Sequence, residues 1–478
     1  MERVRFCFPN AIILILILVL NSTPAISGNR EQNDAKLFDL LVQETREHKQ
    51  YLTGIGLGER AKSIDVFWFD IDEAGLDNIP LDPFSKRTPI PQEVLKFNAD
   101  VKNTLITTDP NTSENKPEDI TKILDIRLYP ALRKMISKSN LEIFLGSKQE
   151  MAAYYSSKGA KVIVEFAIPS SATYYVIRAG NGDYFTVMSG LVGRENLIAQ
   201  LLTLKLAGIK TDSLEIIGDV EHLVFLMVSD FEQLDRKLPE LKLGNHVLVV
   251  AGCGMEHAVS EIIHNAFKYQ IRKIEPFTGT ILSLVSTQLD KPINGIKGVI
   301  TLNLNYGEIS EKIVRQILEQ YNIKYVFSGG AAGYISAGDD REKPEIGSRI
   351  PVAKSMNEGN EVVTLSKSEL VFGLDIDSEA THLQIPSIFL ETYDWLYEAR
   401  KRGSSVDVET FYIVRAIRQY NIEHPDQKVK ADCGCFISDF VGEQPLREYS
   451  STYRRYPEVL TRFLNAIFKE NPEILSKL

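Results

Sequence analysis

Ile323-Lys324-Tyr325-Val326-Phe327-Ser328-Gly329-Gly330-Ala331-Ala332-Gly333-Tyr334 is the stretch on which the fold turns. Its first five residues read as a buried strand, and Ser328 to Gly333 as a loop of small residues. Such a loop lets backbone N–H and C=O groups approach a flat ligand closely, although a tight crossover between packed elements uses the same residues. Upstream, the strand-like His246–Val250 runs through Gly252-Cys253-Gly254-Met255-Glu256-His257 into a helix ending near Ala266. A second strand-like run from Gly298 leads to a helix over Ile309–Gln320. Strands alternating with helices indicate an α/β domain over residues 244–478, a central mixed sheet flanked by helices.

Downstream stand two acidic segments, Val406-Asp407-Val408-Glu409-Thr410 and Cys435-Phe436-Ile437-Ser438-Asp439, with a helix over Phe411–Tyr420 between them. A carboxylate at a strand end costs desolvation energy unless it is paired or working. Glu409 and Asp439 suit a reaction in which one group holds hydroxyls and another donates a proton. An aspartate in that position equally suits a helix N-cap. Gly252-x-Gly254 lacks the third glycine of a dinucleotide fingerprint, and Lys273 stands where an acid would be needed. No cofactor is therefore expected.

Residues 28–240 read as a separate N-terminal α/β or α+β domain without a motif that identifies its chemistry. A polar helix is expected over Asn29–Gln50 and a strand over Ile64–Phe69. The following Asp70-Ile71-Asp72 resembles the paired aspartates of haloacid-type phosphatases, but no third acid and lysine can be assigned to such a site. Pro80–Asp119 reads as loop or linker, with Asn111-Thr112-Ser113 as a glycosylation acceptor in a eukaryotic host. Strands are expected at Leu141–Phe144, Lys161–Ala167, Tyr174–Ile177, Tyr184–Met188, Leu214–Ile217 and Leu223–Val228, with a helix over Arg194–Ala207. The block should close at the polar stretch Asp230–Gly244.

The 478 residues carry a net charge of −10 with scattered basic residues, which disfavours nucleic acid as a partner. Arg3 and Arg5 precede the apolar run Ala11–Leu20, and Ala25-Ile26-Ser27 precedes Gly28. This pattern predicts a cleaved signal peptide over residues 1–27 and a secreted or periplasmic protein. An apolar core of about ten residues falls short of the roughly twenty a spanning helix needs, so no stable membrane span is expected after cleavage. Cys253, Cys433 and Cys435 would remain, too few for a disulfide framework. The seven histidines show no metal-ligand spacing, and no metal is expected.

Taken in order, the pieces from His246 onward resemble the purine/uridine phosphorylase and nucleosidase superfamily. Ser328–Gly333 resembles its base-binding turn and Glu345-Ile346-Gly347-Ser348-Arg349-Ile350-Pro351 the stretch after it. Glu391-Thr392, Val406-Asp407-Val408-Glu409-Thr410 and Ile437-Ser438-Asp439 parallel its Glu-Thr, Val-Asp-Met-Glu-Thr and Ser-Asp signatures. The resemblance implies a purine nucleosidase acting on a small-molecule nucleoside, and the expected signal peptide makes it an exported one. Asp439 would be the general acid to the base and Glu409 the holder of the ribose hydroxyls. Val408, Ser438, Gly330, Ala331, Ala332 and Gly333 would complete the substrate site. Relatives hold phosphate with arginines, one just before the base-binding turn, where this chain has Tyr325, Val326 and Phe327. Water is then the expected nucleophile, with Glu256 the candidate to activate it, although one register places Ala258 there. A phosphate-binding phosphorylase and a non-catalytic nucleoside-binding or storage module are the alternatives. The resemblance further implies a homo-oligomer.

Overall fold

The computed structural model describes residues 30–97, 124–443 and 452–468, apart from 56–57, 63, 70, 72–75, 77, 169–171, 212, 253–255, 268–269, 304–306, 337–342 and 373–380. The expected signal peptide, Asp70 and Asp72, and the Asn111–Ser113 acceptor lie outside the described residues. The chain divides into two compact units. Met1–Leu95, Glu118–Leu191 and Gln200–His222 form the first; Lys96–Pro117, Val192–Ala199 and Leu223–Leu478 form the second.

The first unit holds helix α1 (Arg30–Gly54) and strands β1 (Asp65–Trp68) and β2 (Arg87–Pro89). Helix α2 (Pro130–Lys138), β3 (Leu141–Phe144), α3 (Lys148–Ser157), β4 (Lys161–Ala167), β5 (Thr173–Arg178), β6 (Tyr184–Ser189) and β7 (Glu215–Ile217) follow. Its mixed seven-stranded sheet has the order β1-β4-β5-β6-β3-β7-β2. Ser147 starts α3 with a capping box: its hydroxyl accepts from the Glu150 N–H, and the Glu150 carboxylate accepts from the Ser147 N–H at 2.7 Å. The stretch after Pro80, expected as loop, contains the edge strand β2, which pairs antiparallel with β7. The short ladder satisfies backbone groups that the Pro-rich composition had suggested were left to water.

Two further helices are α4 (Arg194–Leu206) and α5 (Val220–Lys237). The apolar run Leu223–Val228, expected as a strand, lies inside α5. Leu223, Leu226, Met227, Phe231 and Leu234 are buried at helical spacing, while Val228 is exposed. The polar stretch expected from Asp230 continues this helix. Asp230 is buried and accepts backbone N–H bonds from Thr280, Ile281 and Leu282 at 2.9, 2.6 and 2.9 Å.

The second unit continues with β8 (Asn245–Ala251), α6 (Glu256–Phe267), β9 (Ile271–Thr278), β10 (Ser283–Ile293), β11 (Ile296–Asn303), α7 (Glu308–Gln320) and β12 (Ile323–Tyr334). Then come β13 (Arg349–Pro351), β14 (Lys354–Met356), β15 (Val362–Thr364), β16 (His382–Gln384), α8 (Tyr393–Ala399), β17 (Ser405–Asp407), α9 (Thr410–Glu423), β18 (Lys430–Phe440) and α10 (Tyr456–Phe468). They build an eleven-stranded mixed sheet. Its central strand β8 is apolar on both faces. Leu248 and Val250 join one core with α7 and α9; Val247, Val249 and Ala251 join another with α6 and α10. A strand covered on both sides needs a continuous apolar run, which Val247–Ala251 provides. Among the described residues no helix is long and apolar enough to cross a membrane.

Strand β12 corrects one expectation. Its small residues form no loop: the strand runs unbroken to Tyr334, pairing in parallel with β18 from Tyr325 to Tyr334. On its other edge it pairs with β8 only as far as Gly329↔Ala251 and resumes with β17 at Gly333↔Val406. Among the described residues, Gly330, Ala331 and Ala332 have no ladder partner on that edge. The sheet splits where the residues are smallest.

Candidate functional site

The split brings the two acidic segments together. Strand β17 delivers Asp407 to the Gly330 side, where a Cβ on Gly330 would meet Asp407 Oδ2 at 3.8 Å. Strand β18 delivers Asp439 to the Gly333 side, where a Cβ on Gly333 would meet Asp439 Oδ2 at 3.3 Å. The β12–β18 register slips between Ala332↔Ile437 and Gly333↔Asp439, so Ser438 is the extra residue of a bulge. Bulges re-aim side chains, and this one sets Asp439 inside a strand rather than at a helix N-cap. The Ser438 hydroxyl donates to Asp439 Oδ1 at 2.5 Å.

Glu409 is the N-cap residue of α9 and is partly exposed. Its backbone N–H and that of Thr410 donate to Asp407 Oδ1 at 3.1 and 2.9 Å. The Thr410 hydroxyl also donates to Asp407, and the Cys435 thiol donates to Asp407 Oδ2 at 3.3 Å. Behind them lies His382, buried, with Nε2 2.9 Å from Asp407 Oδ1 but not aligned as a hydrogen bond, and Nδ1 2.9 Å from Ser405 Oγ. Asp407 is thus a buried carboxylate fed by donors on every side, which fixes the first turn of α9 and with it Glu409.

These surroundings separate the carboxylates electrically. Burial alone would raise Asp407, but the neighbouring His382 and the bonds from the Thr410 hydroxyl and backbone N–H hold it below the ordinary range. Burial, then the negative charge of Asp407, push Glu409 well above that range, with a further contribution from Glu195. Asp439 is pushed up to about 6 by burial, against the lowering bond from Ser438. Glu391 is buried just before α8 and is raised well above the ordinary range by burial and then by the charge of Asp439. Asp407 is therefore held as an anion, Glu409 and Glu391 are pushed toward their protonated forms, and Asp439 changes charge near pH 6.

His382, Asp407 and Cys435 bring three possible ligand atoms within 4.8 Å of one another. Both Asp407 oxygens already accept hydrogen bonds, and burial followed by the Asp407 charge pushes the Cys435 thiol up, away from the thiolate that a metal takes. The cluster reads as a hydrogen-bonded support.

The remaining expected residues are spread around this centre. Val408 is buried between Asp407 and Glu409, and Ser438 is buried at the bulge. Ala332 packs into the core with α7 and α9, and Ala331 against the core on the other face, so each offers the split only its backbone. Glu256 opens α6, but its side chain, like Cys253 and Gly254, lies outside the described residues. Sequence reasoning missed His382, whose isolated position carries no spacing signal, and Glu195, which stood in the stretch assigned to the first domain. The Asp-x-Glu spacing was the available signal that Asp407 supports Glu409.

No protein-family model matches the chain, and no curated protein matches it. Among solved structures it is similar to a futalosine hydrolase mutant of Helicobacter pylori strain 26695, at 11% identity and a TM-score of 0.32, over 48% of this chain and 100% of that one. It is similar to a putative methylthioadenosine nucleosidase from Weissella paramesenteroides, at 11% identity and a TM-score of 0.35, over 47% and 98%. A putative 5′-methylthioadenosine/S-adenosylhomocysteine nucleosidase from Borrelia burgdorferi bound to adenine gives 14% identity and a TM-score of 0.32, over 47% and 99%. Each likeness spans about half of this chain.

Proposed function

We propose that the second unit hydrolyses the N-glycosidic bond of a purine nucleoside. The observation that carries this reading is that Asp439 lies beside Gly333 and Glu409 follows Asp407, which lies beside Gly330, so two carboxyl groups raised by burial flank the stretch of β12 that lacks a ladder partner on one edge among the described residues. Departure of the base builds positive charge on the ribose and negative charge on the base. Asp439, pushed up to about 6, is protonated in part near neutral pH, so it can donate a proton to the purine and take one up again there. Glu409 resists ionisation because burial and the anchored Asp407 oppose its charge. A sugar that becomes cationic relieves that opposition, so the interaction strengthens in the transition state and not in the ground state. The backbone of Gly330–Ala332 on the edge away from β18, where no described strand pairs with it, suits the edge of a flat base.

Two observations favour water over phosphate. Arg349 is committed to Asp432, at 2.9 Å to its carboxylate and 3.0 Å to its carbonyl, and is not free to clamp an anion. The N-terminus of α7 is met by the chain's own carboxylate, Glu195. The apolar run Ala11–Leu20 adds the proposal that the chain is exported.

The test is base release from inosine, adenosine and methylthioadenosine by the chain lacking residues 1–27, with and without phosphate. Release independent of phosphate is expected. Strict phosphate dependence would replace hydrolysis by phosphorolysis, and no release from any nucleoside would refute the catalytic reading.

A further inference from the structure

We propose that Glu195 is a positioning residue for the sugar end of this site, an inference that rests on the reading of Glu409 as the ribose holder. Glu195 belongs to the segment Val192–Ala199, which joins the second unit although it precedes β8 in the chain. Its side chain is 0% exposed. Three donors converge on it: the Tyr412 hydroxyl at 2.8 Å and Arg194 Nη1 at 3.3 Å to Oε1, and the Glu308 N–H at 3.0 Å to Oε2.

Each donor has a place in the architecture. The Glu308 N–H is one of the first free donors of α7, where the helix dipole favours a negative charge. The residue before it, Gly307, has φ +69°, and a Cβ there would lie 2.4 Å from Glu195 Oε2. Glycine is the residue that admits this approach. Tyr412 lies on the first turn of α9, three residues after Glu409. Glu195 therefore ties the start of α7 to the start of α9, while Asp407 holds the same turn of α9 from the other side. Glu409 sits on the short span between the two anchors. A carboxylate taken fully out of water is costly unless donors meet it, as three do here; what it supplies is fixed geometry and a charge directed at Glu409.

Glu195→Ala, Glu195→Gln and Tyr412→Phe, compared with the unaltered protein, test this. The readouts are KM and kcat for base release, together with calorimetric binding of the nucleoside and of free adenine. Glu195→Ala should raise KM about tenfold or more and lower kcat less, because it loosens a group that holds the sugar. Nucleoside affinity should fall while adenine affinity changes by less than about twofold, since the base is held elsewhere. Glu195→Gln should recover most of the loss, because its amide oxygen still accepts a hydrogen bond. Unchanged KM in a folded Glu195→Ala protein, or equal loss of nucleoside and adenine binding, would overturn the inference. Should Glu195→Ala fail to fold, Tyr412→Phe decides it: a rise in KM of about threefold supports the role and none refutes it. An unaltered protein that neither binds nor cleaves a nucleoside would instead overturn the reading of Glu409 itself.

Discussion

Replacing Asp439 by asparagine should weaken catalysis and strengthen the fold, and both effects can be sized from the structure. The carboxyl group rises from an ordinary value of 3.8 to about 6 because burial opposes its charge. At 1.36 kcal/mol per pH unit, this makes the ionised group about 3 kcal/mol worse off in the folded chain than in the unfolded one. Because the folded value is the higher one, the penalty is absent below about pH 4 and complete above about pH 6. The unaltered protein thus loses stability as pH rises through that window, whereas the asparagine variant has no charge to pay for. Asp439→Asn should be more stable relative to the parent at pH 8 than at pH 4 by about 2 to 3 kcal/mol, read as urea midpoints at each pH. Base release should fall about a hundred- to ten-thousand-fold, the usual worth of one general acid. In the parent, kcat/KM should decline above about pH 6 as the donor loses its proton. A stability difference that does not change between pH 4 and pH 8 would refute the assigned electrostatics. Base release by the variant within about tenfold of the parent would refute the proton-donor role.

His382→Ala removes the imidazole that meets the buried Ser405 hydroxyl and the Asp407 carboxylate, each at 2.9 Å, and should cost about 1 to 3 kcal/mol in urea unfolding; a loss below about 0.5 would show that His382 does not support this cluster. Gly330 and Gly333 should respond in opposite ways. A Cβ on Gly330 finds its nearest neighbour at 3.8 Å, so Gly330→Ala should alter the melting temperature little yet weaken adenine binding about tenfold by filling the split. A Cβ on Gly333 would meet Val441 Cγ2 at 2.6 Å, so Gly333→Ala should destabilise by about 1 to 3 kcal/mol. Asp230→Ala strips three backbone donors at Thr280, Ile281 and Leu282 of their acceptor and should cost about 2 to 4 kcal/mol, without changing the pH profile of base release.

Much of the architecture was legible from local pattern. The continuous apolar run of β8, the helical spacing of Ile309, Ile313 and Ile317 in α7, and the alternation of such segments report burial directly, because burial is what selects apolar residues. Where two periods overlap, local pattern misleads. Leu223–Val228 is apolar enough for a strand, and only its continuation through Phe231 and Leu234 shows the helical face of α5. Small residues are also ambiguous. Ser328–Gly333 has loop composition, yet Phe436 and Tyr456 pack so closely over Gly329 that a Cβ there would lie 2.9 Å from the Tyr456 ring, a closeness a strand of small residues permits.

By itself the sequence determined that the C-terminal half is an α/β sheet and that Glu409 and Asp439 are the carboxylates to watch, since residue type and short-range spacing are properties of the chain. Tertiary structure alone decided their company. His382 reaches Asp407 from β16, Glu195 reaches Tyr412 from a segment far upstream, and burial followed by the charge of Asp439 raises the affinity of Glu391 for a proton. A proton's affinity for a carboxylate depends on burial and on charges within a few ångströms, and those neighbours are set by folding rather than by order along the chain.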